Sequence, residues 1–178
     1  MRLGIRLLYA LQALPSLDPC HLIANRPDYV VATWRQIFCA IWRRETTEDA
    51  VRRVHHACVE FAKQHPRGIG LLTVVEGEAS LPPAGARKAL ASFLAQASSV
   101  IRCSAVVFEG SGFRAAAVRS VVTGLSLLAR QRFPHKVCDI AEAGRMFAEI
   151  LPAATGVGVS EAAFRASLDE LREAVGRR

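Results

Sequence analysis

The chain has 178 residues, of which 51% are hydrophobic and 22% charged, and its formal net charge is +7. That length supports one domain with a substantial core and is too short for two ordinary ones. No apolar run approaches the roughly 20 residues of a bilayer-crossing helix, because Arg43, Arg44, Arg102, Glu109 and Lys136 interrupt the hydrophobic segments, and a transmembrane helix is excluded.

Residues 1–27 read as a poorly ordered N-terminal extension. Arg2 and Arg6 precede Leu7-Leu8-Tyr9-Ala10-Leu11, a charged-then-apolar order near that of a secretory signal, but Gln12 breaks the run and no small-x-small cleavage site follows. A hairpin comes next. Tyr29 to Trp34 and Ile37 to Trp42 are rich in β-branched and aromatic residues, and Arg35-Gln36 separates them without the glycine or asparagine that two-residue turns favour.

Thr46, with Asp49 three residues on, resembles a capping box, and Val51, Val54, Cys58, Phe61 and Ala62 then share one helical face. That helix ends near His65-Pro66, since the residue before proline is driven out of the α region. Ile69 to Val75 is almost continuously apolar, as expected of a central parallel strand covered on both faces. Pro82-Pro83 suits a helix's first turn and opens a second helix through Ala86, Leu90, Phe93, Leu94 and Ala97.

Ile101 to Phe108 is the next buried strand, and Glu109-Gly110-Ser111-Gly112 leads into a third helix, Phe113 to about Arg130. Its core face is Val118, Val121, Val122, Leu125, Leu128 and Ala129, and its other face carries Arg119, Thr123, Ser126 and Arg130. His135 to Cys138 is a short last strand, Asp139 caps a fourth helix, and the domain spans 28–151. Residues 152–159 form a linker around Gly156-Val157-Gly158. The amphipathic helix of 160–178 then carries a stripe of Phe164, Leu168, Leu171 and Val175, which either folds back on the domain or meets a second copy in a homodimer.

The fold expected is therefore α/β: a single small mixed β-sheet opened by a hairpin and packed with about four helices, plus a C-terminal helix. Cys20, Cys39, Cys58, Cys103 and Cys138 are odd in number and form no CxxC pair, which argues for a reducing, cytoplasmic setting and against a disulfide framework. Charge is uneven. From Arg102 to Lys136, six basic residues (Arg102, Arg114, Arg119, Arg130, Arg132, Lys136) face the single acid Glu109, a field suited to an acidic protein partner. The stretch has no groove-reading motif and little aromatic interleaving, which argues against nucleic acid.

The order strand, strand, helix, strand, helix, strand, helix, strand, helix from Tyr29 to Leu151, with the opening hairpin, the Thr46-Thr47-Glu48 helix start and the closing helix from Asp139, resembles the STAS-like fold of bacterial anti-sigma factor antagonists. In that family an Asp-Ser element at the second helix receives a phosphate from the partner kinase. The matching loop here, Glu76 to Pro83, holds Ser80 but no Asp-Ser pair. The resemblance thus implies a non-catalytic interaction module of bacterial signalling without a clear phospho-switch serine, whose surface would comprise Glu76, Ser80, Gly110, Ser111, Gly112, Arg114, Arg119 and Arg130.

Other chemistry is thinner. Gly110-Ser111-Gly112 between strand and helix, with Arg114 beside it, offers N–H groups and a helix dipole to a nucleotide or phosphate, though it lacks the third glycine of the dinucleotide fingerprint and the P-loop lysine. This is the alternative to a protein partner. His56 and Glu60 have i, i+4 spacing but do not complete a metal shell, and His55 and His56 read as solvent-facing polarity. Ser111 lies in no nucleophile elbow, although His135 approaching it, or Glu76, Glu78 and Glu109 pairing at the strand ends, would be the starting points of an enzyme. No complete catalytic set, metal site or cofactor motif is expected.

Overall fold

The computed structural model describes residues 18–176; the first seventeen residues of the expected extension lie outside the described residues. Strands β1 (His21–Asn25), β2 (Tyr29–Trp34), β3 (Ile37–Trp42), β4 (Ile69–Glu76), β5 (Ile101–Glu109) and β6 (His135–Val137) stand in sequence order across one sheet. The first three are antiparallel and the last four parallel. Helices α1 (Glu48–Lys63), α2 (Ala84–Ala97) and α3 (Gly112–Leu128) make the crossovers, and α4 (Ile140–Thr155) and α5 (Glu161–Val175) follow the last strand.

This order decides where the helices go. Crossovers between parallel strands are right-handed, so three successive crossovers advancing in one direction set α1, α2 and α3 on the same face. The other face is left for α4 and α5. Side-chain alternation divides the core accordingly: Val31, Phe38, Ala40 and Leu71 pack with α1 and α2, whereas Ile37, Cys39, Leu72 and Ala105 pack beneath Phe147 and Leu151 of α4 and Phe164 and Leu168 of α5. Gly70 lets α4 approach the sheet; a Cβ there would lie 3.0 Å from Leu151 Cδ1 and 3.1 Å from Phe147 Cε1.

The α/β fold, the hairpin and the C-terminal helix are as the sequence indicates, with local differences. Residues 21–25, assigned to the extension, form an edge strand. Leu22 and Ile23 stay exposed, and the order comes from backbone pairing with β2 and from anchors at Asp18, whose carbonyl accepts from Trp34 Nε1 at 2.7 Å and from Ser167 Oγ at 3.2 Å. The hairpin turn uses Arg35 at φ 51°, a left-handed conformation costing a non-glycine residue about 1 kcal/mol. Its side chain stacks on Trp34 and donates to the Gly158 carbonyl, which offsets that cost.

The cap of α1 is Thr47 rather than Thr46: Thr47 Oγ1 accepts from Ala50 N at 3.1 Å while Thr46 is buried. Asp139 caps α4 as expected, accepting from Glu142 N at 2.7 Å. That helix runs through Pro152 to Thr155, a turn beyond its expected close, and stops at Gly156 with φ 79°. The α5 stripe folds back in cis. Phe164 meets Trp34 and Phe147 with ring centroids 6.1 and 5.5 Å apart, the first of the two arrangements the stripe allows.

Candidate functional site

Glu76 and Glu109 are register partners at the C-terminal ends of β4 and β5, the end of a parallel sheet where ligands commonly bind. Register partners in neighbouring parallel strands point to one face, here the face of α5. Each carboxylate is neutralised by an arginine. Arg43, just past β3 and buried, lies 3.6 Å from Glu76 Oε1, and its terminal nitrogens donate to the Val175 and Gly176 carbonyls and to Asn25 Oδ1. Arg172 of α5, also buried, pairs with Glu109. The two arginines therefore hold the C-terminal helix on the sheet, with Arg43 at the negative end of its dipole. Glu76 and Glu109, which paired-carboxylate chemistry would have needed free, are each engaged by an arginine.

Ser80 and the Gly110–Arg114 segment do come together. Arg114 Nη2 donates to the Ala79 carbonyl at 2.7 Å, and Ser80 N and Oγ both donate to the Arg44 carbonyl, at 2.7 and 3.2 Å, so the loop after β4 is tied to α3 and to the end of β3. A Cβ at Gly110 would meet the Phe108 ring at 2.3 Å, so a side chain there would displace that ring, and Gly112 takes φ 65°. Ser111 is the N-cap of α3, yet its side chain makes no capping bond and no acid follows in the first turn. Ser80 lies before Pro83, the N-cap of α2, rather than at a helix N-terminus.

The three arginines read as one face do not share one. Arg114 and Arg119 are five positions apart, so about 140° apart around the helix; both are exposed, and Arg114 reaches back to the Ala79 carbonyl. Arg130, exposed beyond the helix end, has φ 47°. Ser126, assigned to the outer face, instead has a buried hydroxyl without a partner. Of the 17 residues in α3, only Val118 and Leu125 are buried. Phe113, Leu127 and Leu128 are 88%, 75% and 72% exposed, and the outward face reads Phe113, Ala116, Ser120, Thr123, Leu127, with no charge on it and Arg119 at its rim.

His135 does not approach Ser111. It lies opposite Ser104 across β5 and β6, with Ser104 Oγ 2.6 Å from His135 Nδ1, whereas Ser111 lies past the far end of β5, roughly 16 Å further along the strand. Gln131 Nε2 completes the cluster by donating to Ser104 Oγ at 3.3 Å. Burial holds the His135 imidazole below its ordinary value, and therefore neutral at pH 7. Strand pairing alone joins these residues, so nothing in their spacing announces them.

His55 is likewise not a solvent group: its ring stacks on Phe93 at 4.8 Å, between α1 and α2. The five cysteines are free. Burial pushes Cys58 and Cys103 up to about 12, Cys138 to about 11 and Cys20 to about 12, and raises Cys39 as well, so none is a thiolate at neutral pH. Among the described residues no helix is long and apolar enough to cross a membrane.

No protein-family model, curated protein or solved structure matches the chain.

Proposed function

We propose that the protein is a non-catalytic interaction module of a bacterial signalling system, with α3 as its binding element and an acidic, amphipathic protein segment as its partner. The observation that carries this reading is the uncovered α3: an exposed face with Phe113 and Leu127 at its ends and small residues between them. Arg119 lies at its rim, Arg130 and Arg132 are exposed just past the helix end, and no acid occurs from Gly110 to Lys136. Small residues let a partner helix approach closely, the terminal Phe and Leu supply apolar anchors, and the arginines select acidic neighbours and speed encounter. The STAS-like element order and the free thiols support a cytoplasmic regulator of the anti-sigma antagonist kind.

The test compares the native protein with Arg119→Glu/Arg130→Glu and with Phe113→Ser/Leu127→Ser in co-purification from the host. One acidic protein, retained by the native chain and reduced at least tenfold by both variants at unchanged melting temperature, is the expected result. Equal recovery with all three chains removes α3 from consideration. The second reading, a phosphate or nucleotide at Gly110-Ser111-Gly112, draws on the uncapped first turn of α3. A rise in Tm with millimolar phosphate or nucleotide would favour it, and no rise is expected on the interaction reading.

A further inference from the structure

The sheet face beneath α3 is incompletely filled. β4 is flanked on both sides by strands, yet Thr73 and Val75 on this face are only half-buried, as are Val121 and Val122 above them. Between them lies a cavity of about 100 Å³, with Leu81 and Pro82 of the loop after β4 in its wall. Its lining is largely aliphatic and aromatic and contains no Asp, Glu, Lys or Arg. An apolar cavity of this order is large enough for a few heavy atoms; an engineered one of about 150 Å³ takes benzene.

Thr46, Thr73 and Ser80 line the cavity on one side, and Ser104, Ser126 and His135 line it below α3. Ser104 Oγ accepts from Gln131 Nε2 at 3.3 Å and lies 2.6 Å from His135 Nδ1. When the serine gives its hydrogen to Nδ1, the imidazole carries its own proton on Nε2. His135 Nε2 is buried without a partner, as is the Ser126 hydroxyl, and both residues line the cavity. Buried donors left unpaired are rare and costly.

The geometry points to a binding site for a small uncharged apolar molecule bearing one hydrogen-bond acceptor, a carbonyl or ether oxygen, which takes the proton of His135 Nε2 while its hydrocarbon part fills the space under α3. A carboxylate is disfavoured because the lining offers no cation and a buried unpaired anion is far costlier than a neutral oxygen. The site is separate from the outward face of α3, so its occupancy and partner binding are independently measurable.

The full chain, labelled at its methyl groups and nitrogens, is titrated in turn with butanone, 2-methylbut-1-ene and propionate, which share a small skeleton. Butanone should shift the methyl resonances of Val106, Val118 and Leu125 and the His135 Nε2–H signal. 2-Methylbut-1-ene, which has the shape but not the acceptor, should bind about fivefold more weakly, as one lost neutral hydrogen bond implies. Propionate should cause no shift. Val122→Phe, or Leu94→Phe should the first not fold, fills the cavity from a half-buried position and should abolish the shifts while the chain stays folded. Silence of the native protein towards all three compounds, equal affinity for butanone and 2-methylbut-1-ene, or preference for propionate would each overturn the assignment.

Discussion

Arg172 is 7% exposed, and Glu109 is the carboxylate beside its guanidinium. Truncating either partner leaves the other poorly compensated, and breaking a fully buried pair costs about 3–5 kcal/mol. Glu109 is partly exposed and can recover water, so about 2 kcal/mol is expected for Arg172→Ala and for Glu109→Ala. The double variant Arg172→Ala/Glu109→Ala should lose less than the sum of the two by about 1 kcal/mol. Urea unfolding measures this, and strict additivity would mean the pair does not hold α5. Three imidazoles, those of His55, His65 and His135, lie below their ordinary value of 6.5 because burial disfavours the charged ring. A depressed histidine value means the unfolded chain takes up protons first, so stability is full above pH 6.5 and falls as the pH drops through and below it. Asp49, Glu60 and Glu142, held down by hydrogen bonds from Arg53, Lys63 and Lys136, act only below about pH 4.5. A decline in unfolding free energy between pH 7.5 and 5.5 is therefore expected, and a flat profile there contradicts the burial of these rings.

The helices differ sharply in how firmly they are held. α4 buries Ala143, Gly144, Phe147, Leu151 and Thr155 against the sheet and α5, whereas α3 buries only Val118 and Leu125. Leu151→Ala should cost about 3 kcal/mol, within the range for a fully buried leucine, while Leu127→Ala should change stability by no more than about 0.5 kcal/mol. Native-state hydrogen exchange should release the α3 amides before those of α4; the reverse order would place α3 in the core. Much of this level was legible in the sequence. Apolar runs and 3.6-residue periodicity located the strands β2 to β5 and the helices, because burial on one or both faces writes itself into the pattern. β1 escaped because it is held by backbone pairing and by contacts of Asp18, neither of which leaves an apolar alternation in His21 to Asn25. The α3 core face was legible at Val118 and Leu125 but not at Leu128, which sits in the last turn where the helix has run past its cover. The Ser104–His135–Gln131 cluster joins residues up to 31 positions apart through β5–β6 pairing, and periodicity carries no trace of register.

At the level of the whole molecule, strand order explains the asymmetry between the two faces. Three same-handed crossovers place α1, α2 and α3 on one side, and the last of them ends at β6, a strand of three residues that gives α3 little sheet to rest on. The opposite side is sealed by α4 and by α5, which Arg43 and Arg172 hold in place. One face is thus a closed core, and the other ends in a helix whose outward surface is apolar, small and basic-rimmed. The direct measurement is position-specific photocrosslinking in the host, with benzoylphenylalanine at Ser120 in the middle of that surface and, as control, at the exposed Lys63 on α1. An adduct with one acidic protein from Ser120, absent from Lys63 and lost when Arg119 and Arg130 are reversed to Glu, is the predicted result. The same adducts from both positions, or none from Ser120, would contradict α3 as the binding element.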